Sequence, residues 1–347
     1  MKSNLKRFLS RGASVLTMIM GLALFGPTPS YAKDTTSSCG TSSTYYASVS
    51  SPGVSSTYAS YIARARRSVD LVIYELTDPL VIHALIASAS KGVSVRVLLD
   101  RAYSGYSTNH SAYNALSHSK VLVHYAPAST IVHQKTLVID QSCALISTGN
   151  LTPNYYSSSL DFFVADASHS DIAYISSVFN QDFSSSTISS VSQAPPLLYS
   201  PGAESALVSL ITHAHHQILL SAQEMADPYI IAPLAAAARR GVSVEIVMTQ
   251  DSAYTATLRT LARAGARIRL YPYSSSGLYI HAKAIVVDYG LPDAALYLGS
   301  QNFSISSLMY NRELGLILKA AAAPQAIRLV DSTLARDFAN APIVVSP

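Results

Sequence analysis

The chain has only two cysteines, Cys39 and Cys143, in 347 residues, and no Cys/His cluster with the spacing of a metal site. That sets aside a zinc-stapled fold and leaves either one disulfide or two separate thiols. His213, His215 and His216 are close in sequence but read as solvated residues on a surface helix. A second long apolar run is also missing. The one present, Val15–Phe25, has 11 residues, too few to span a bilayer comfortably. It follows Lys2, Lys6, Arg7 and Arg11 and precedes Ser30-Tyr31-Ala32, small residues at the −3 and −1 positions. This is the pattern of a signal peptide over residues 1–32, cleaved near Ala32, and it predicts an exported, soluble protein. A surplus of one charge is the third absence. The whole chain is +4, but four of its 24 Lys and Arg lie in the leader, leaving 20 basic against 20 acidic residues. Nucleic-acid binders draw affinity from a basic surplus, and residues 33–347 have none overall.

What is abundant is apolar material, 49% of the chain. Roughly 315 residues beyond the leader suggest two domains or two fused halves. Residues 33–60 are rich in Ser, Thr and Tyr and read as an arm leading to a first helix. A strand (Val69–Glu75), a helix (Pro79–Ser90) and a strand (Val93–Asp100) follow. The block recurs as Gln217–Ala222, Pro228–Arg240 and Val242–Thr249. Glu75-Leu76-Thr77-Asp78-Pro79 aligns with Glu224-Met225-Ala226-Asp227-Pro228, and Gly92 with Gly241. Asp before Pro is helix N-cap chemistry, and Gly closes a helix. Ser184–Gly202, with Pro195, Pro196 and Pro201, reads as a linker. The fold class predicted is α/β, with two similar α/β/α sandwich domains at 33–190 and 191–347 related by a pseudo-twofold.

A second repeat carries the chemistry. The first copy reads His133-Gln134-Lys135, Asp140, then Ser147-Thr148-Gly149-Asn150; the second reads His281-Ala282-Lys283, Asp288, then Gly299-Ser300-Gln301-Asn302. Each His and Lys sit two residues apart, ahead of the apolar runs Thr136–Ile139 and Ala284–Val287, and so share a strand face. If the halves face each other, His133, Lys135, His281 and Lys283 converge on one cleft. Asn150 and Asn302 add amide donors, and Thr148 and Ser300 add hydroxyls toward substrate. Such a set suits a phosphodiester passing through five-coordinate phosphorus, with no cofactor and no metal. One imidazole attacks phosphorus and the other protonates the leaving oxygen.

Asp161 and Glu313 each lie 11 residues after the motif's Asn, and 28 and 32 residues after their histidines. They are candidates to hold the imidazoles in one tautomer. Asp140 and Asp288, seven residues after the histidines, point to the opposite strand face and read as turn residues. Glu75 and Glu224, at strand ends, either reach the cleft or open the next turn. Tyr103, Tyr106, Tyr155, Tyr156, Tyr279 and Tyr310 lie near the motifs and suit a lipid–water boundary or ordinary packing.

These residues resemble the phospholipase D superfamily, whose hallmark is His-x-Lys-x4-Asp followed by Gly-Ser-x-Asn. Residues 133–140 and 281–288 match the first part in full. Gly299-Ser300-Gln301-Asn302 matches the second after a turn four residues longer than in the first copy, and Ser147-Thr148-Gly149-Asn150 substitutes Ser for Gly and Thr for Ser. The resemblance implies an active site at the domain interface and a metal-independent reaction through a phosphohistidine, with His133 as nucleophile and His281 as general acid. The motif copies alone leave those two roles interchangeable. Its leading implication is an exported phospholipase D acting on phosphatidyl headgroups, by hydrolysis or transfer, at a membrane surface. The alternative is a nuclease of the same superfamily, for which Arg101, Arg312 and Lys319 are the nearby cations. With both half-sites in one chain, a monomer suffices.

Overall fold

Apolar runs closed by Gly and Asp become the strands of two sheets. The computed structural model describes residues 39, 44–49, 53–103, 105–274 and 277–347, so the expected leader lies outside the described residues. The strands are β1 (Tyr45–Val49), β2 (Ser68–Ile73), β3 (Ser94–Leu99), β4 (Leu122–Tyr125), β5 (Lys135–Ile139), β6 (Cys143–Ser147), β7 (Ser159–Leu160) and β8 (Phe162–Asp166) in the first half. In the second half they are β9 (Leu197–Ser200), β10 (Gln217–Ala222), β11 (Ser243–Thr249), β12 (Arg267–Tyr271), β13 (Tyr279–Ile280), β14 (Lys283–Val287), β15 (Ala295–Gly299), β16 (Glu313–Lys319) and β17 (Ile343–Val344).

The first sheet runs β4-β3-β2-β5-β6-β8-β1 and the second β17-β12-β11-β10-β14-β15-β16-β9. Apart from β17, every strand of one has a counterpart in the other, in the same order. In each, three strands are parallel (β2, β3 and β4; β10, β11 and β12) and the rest antiparallel. The parallel strands require crossover helices, and the sequence supplies them. Pro79–Ser90 is capped by Asp78, which accepts from the amides of Leu80 and Val81, and Pro228–Arg239 by Asp227, which accepts from Tyr229. Gly92 and Gly241 then take left-handed φ of 95° and 91°, a conformation glycine adopts without penalty. The chain is thus two similar α/β domains.

Each half has its own apolar core, and a third core joins them. That shared core holds Val138, Ile146 and Leu160 from one half with Leu219, Ile280 and Ala282 from the other, beneath the helices His169–Ser184 and Pro324–Asn340. Residues 34–347 form one compact unit.

Three local expectations change. Within the Ser- and Tyr-rich arm, Tyr45–Val49 is a strand paired with β8, and Cys39 is disulfide-bonded to Cys143 on β6. Its periodicity is faint because its order comes from ladder bonds and a covalent tie rather than from an apolar face. The linker ends in a strand, because Leu197, Leu198 and Tyr199 are all buried against the second sheet. The helix before the histidine group ends at Thr212, so His213, His215 and His216 occupy the exposed turn that follows it.

Candidate active site

Each His-x-Lys segment is held by the opposite half. The amides of His133 and Gln134 donate to the carbonyl of Arg312, and those of His281 and Ala282 to the carbonyl of Leu160. Val132 bridges Arg312 in parallel, and β13 pairs in parallel with β7. Arg312 and Leu160 each immediately precede a carboxylate. The carboxylates therefore cross. His133 Nδ1 lies 2.8 Å from Glu313 Oε2, and His281 Nδ1 lies 2.8 Å from Asp161 Oδ1. The sequence placed each carboxylate with its own half's histidine, at offsets of 28 and 32. The correction follows from the inter-half backbone pairing, which delivers each carboxylate strand to the other half's motif.

Both carboxylates are themselves fixed. Asp161 accepts from Thr148 Oγ1 at 2.6 Å and Ser159 Oγ at 3.1 Å. Glu313 accepts from Ser307 Oγ and from Asn311 Nδ2. Burial raises both carboxylates, but the facing histidine, lysine charge and these hydroxyls outweigh it and hold them below the usual range. Burial in turn lowers the imidazoles against the opposing pull of the carboxylates, His133 to about 4, with His281 also lowered. An ionised carboxylate can only accept, so each Nδ1 carries the proton. Each Nε2 keeps a lone pair.

The lysines are buried and differently held. Lys135 donates to the His133 carbonyl and lies 5.1 Å from the Tyr74 ring centroid. Lys283 donates to Gln223 Oε1 at 2.6 Å. Desolvation lowers Lys135 to about 7 and Lys283 to about 8. Asn150 Nδ2 donates to Glu75 Oε2 at 3.1 Å and Asn302 Nδ2 to Glu224 Oε1 at 3.2 Å. Glu75 and Glu224 therefore belong to the cleft, and burial raises both.

Thr148 and Ser300 differ from expectation. Both are fully buried, and their hydroxyls engage protein groups rather than face substrate. Thr148 Oγ1 binds Asp161 and the Phe162 amide, and Ser300 Oγ accepts from the Leu314 amide. They brace the strands that carry the carboxylates. Asp140 accepts from the amides of Arg66, Arg67 and Ser68, and Asp288 from those of His215, His216 and Gln217, so both lie on turns away from the histidines. Arg312 is unavailable to a nucleic acid: it is buried in an ion pair with Asp182 at 2.8 Å. Arg101 and Lys319 are exposed. Tyr74, Gln223, Ser307 and Asn311 went unnoticed in the sequence. Tyr74 and Gln223 were findable, since they precede the aligned Glu75 and Glu224. No group of three or more His, Cys, Asp or Glu among the described residues is arranged to hold a metal.

Two α/β sheets of the same topology that exchange carboxylates across a shared His/Lys cleft define a duplicated two-motif fold. The chain belongs to the phospholipase D-like family: the model described as "Cardiolipin synthase, PLD-like domain" matches residues 58–183 and 207–337. Phospholipase D of Rickettsia felis is 33% identical over 94 residues, 27% of this chain and 46% of that protein. The chain thus aligns with less than half the length of that relative. Phosphatidylserine synthase of Haemophilus influenzae superposes with a TM-score of 0.67 at 13% identity, over 87% of each chain. Polyphosphate kinase of Porphyromonas gingivalis gives 0.63 at 16%, over 85% of this chain and 50% of that one. At these identities the structural likeness speaks for the fold alone.

Proposed function

We propose that this protein is an exported, metal-independent phosphodiesterase of the phospholipase D type, acting on phosphatidyl headgroups. The observation that carries the reading is the crossed pair of His–carboxylate bonds with two buried lysines beside them. His133 Nε2 attacks phosphorus, forming a P–N bond as the bond to the leaving alcohol oxygen breaks. His281, protonated on Nε2 as the anionic substrate raises its proton affinity, gives that proton to the leaving oxygen. Water then loses a proton to His281 and attacks phosphorus, and the P–N bond breaks to return His133. An alcohol in place of water gives headgroup transfer. Glu313 and Asp161 support the positive charge that forms on each ring, and the lysines stabilise the equatorial oxygens. Burial lowers both imidazoles, which suits a neutral nucleophile, and the assignment of that role to His133 follows the family resemblance.

A lipid substrate is supported by the surface. Leu80 and Tyr229 occupy equivalent positions beside the helix caps and are 47% and 63% exposed, and Tyr103, Tyr155 and Tyr310 are exposed near the motifs. The test is to incubate residues 33–347 with chelator, phospholipid vesicles and plasmid DNA, beside a His133→Ala control. Phosphatidic acid and free headgroup, absent from the control, are the expected products. Nicked DNA with intact lipid would replace this reading with that of a nuclease.

A further inference from the structure

The second half-site carries a donor that the first lacks. Ile280 and Ala282 enter the shared core, so by strand alternation Tyr279, His281 and Lys283 share the opposite face. One side chain joins the two ends of that row. Lys283 Nζ donates to Gln223 Oε1 at 2.6 Å, and Gln223 Nε2 donates to Tyr279 Oη at 2.9 Å. The Tyr279 ring lies beside the His281 ring, with centroids 5.8 Å apart. His281 thus stands in the row between two residues that a single amide ties together.

The direction of this relay is fixed by its chemistry. An ammonium only donates, so the amide turns its oxygen to Lys283 and its NH₂ to Tyr279. An amide NH₂ cannot accept, so the Tyr279 oxygen accepts from it and the hydroxyl hydrogen goes elsewhere. That hydrogen meets no acceptor among the described residues. Burial raises the phenol above its ordinary value, so the group keeps its hydrogen at neutral pH. A partly buried hydroxyl, aimed by a hydrogen-bonded chain yet left with an unused hydrogen, is completed by an oxygen of a ligand.

The first half has no such device. Aligned on the histidines, Ile131 stands where Tyr279 does and has nothing to donate from its side chain. Aligned on the glutamates, Tyr74 stands where Gln223 does. Lys135 instead donates to the His133 carbonyl and faces the Tyr74 ring. We propose that Tyr279 is a substrate-contacting residue: its hydroxyl, aimed through Gln223 by Lys283, donates to an anionic oxygen of the phosphoryl group beside His281. The phosphoryl group then receives one uncharged donor from the second half alone, on the side of the histidine that protonates the leaving oxygen.

This inference rests on the proposed phosphodiesterase, so its test includes a readout that needs no activity. Tyr279→Phe keeps the ring against His281 and removes only the hydroxyl. Titration calorimetry with inorganic phosphate should show about tenfold weaker binding, and kcat/KM on a soluble diester should fall about ten- to a hundredfold. Gln223→Leu removes the group that aims the hydroxyl, so its loss and that of Tyr279→Phe should be less than additive in the double variant. Fully additive losses, or a folded Tyr279→Phe protein that binds phosphate and turns over diester like the parent, would overturn the proposal. So would an unaltered protein that binds no phosphate. Absence of diester turnover in the unaltered protein would sink the proposed function, while phosphate binding would still decide the role of Tyr279.

Discussion

At the scale of single residues, the site works by arranging which nitrogen is free. Both imidazoles donate Nδ1–H to a buried carboxylate, and burial keeps them neutral. Replacing Glu313 by Gln keeps a hydrogen-bond acceptor but removes the charge that steadies the developing imidazolium. The expected loss in kcat is about 10²–10⁴-fold, read from steady-state kinetics. The pH profile follows from four groups. His133 must be neutral, and its midpoint is about 4, His281 must carry the proton it gives to the leaving oxygen although burial lowers it, and the lysines must be charged, with midpoints of about 7 and about 8. The rate on a diester should fall on the acid side as His133 gains its proton and on the alkaline side as His281 and Lys135 lose theirs. The optimum is then acidic, and a plateau extending past pH 9 would contradict this set of charges. Rapid alkaline quench with a ³²P-labelled diester should place the label on His133, because the P–N bond survives base and not acid, and His281→Ala should lengthen its lifetime, because the second step loses its base.

At the scale of elements, the turns that aim the motif strands are tied by Asp140 and Asp288, at left-handed φ of 52° and 50°. Each carboxylate gathers three backbone amides where a sheet-forming strand begins. Desolvation pushes these carboxylates up, but the amide bonds outweigh it and lower both. Their folded values lie below the unfolded ones, so the stability they add is present above the unfolded carboxylate range and is lost as pH falls through the folded value. Asp288→Ala should destabilise by about 1–3 kcal/mol at pH 7, measured by urea unfolding, with the gap from the parent protein closing in acid. Asp140 and Asp288 were legible as turn residues because strand alternation takes position +7 to the other face. The two crossover helices, Pro79–Ser90 and Pro228–Arg239, were legible from Asp-Pro and Gly. The crossing of Asp161 and Glu313 was not, because equal 11-residue offsets record the repeat and say nothing of which half receives the side chain. Thr148 and Ser300 misled for a related reason: a hydroxyl beside a phosphate-binding motif looks the same in sequence whether it faces solvent or a strand. Gly149 shows what sequence could have offered, since a Cβ there would lie 2.7 Å from Asp161 Cγ.

At the scale of the whole molecule, the halves are bound by the chemistry as much as by packing. Each histidine is incomplete without the other half: backbone bonds pair Arg312 with His133 and Leu160 with His281, and Leu160 lies in the shared core. Arg312 extends this tie, since its guanidinium reaches Asp182 at 2.8 Å and the carbonyl of Ser200 at 3.3 Å, fastening the segment between the halves next to Glu313. Arg312→Met leaves Asp182 buried without its cation, and a loss of about 3–5 kcal/mol is expected by chemical denaturation. The fold class was visible in the sequence because the repeat runs the length of the chain. The disulfide was not, because Cys39 and Cys143 are 104 residues apart and no local pattern joins them.

The crossed pairing is most directly tested by ¹⁵N NMR of the histidine rings in the Glu313→Gln protein. The account predicts that the His133 Nδ1–H resonance shifts and its titration midpoint falls below about 4, while His281 is unchanged. A response at His281 with His133 unmoved would mean that each half serves itself, and the exchanged carboxylates would have to be abandoned.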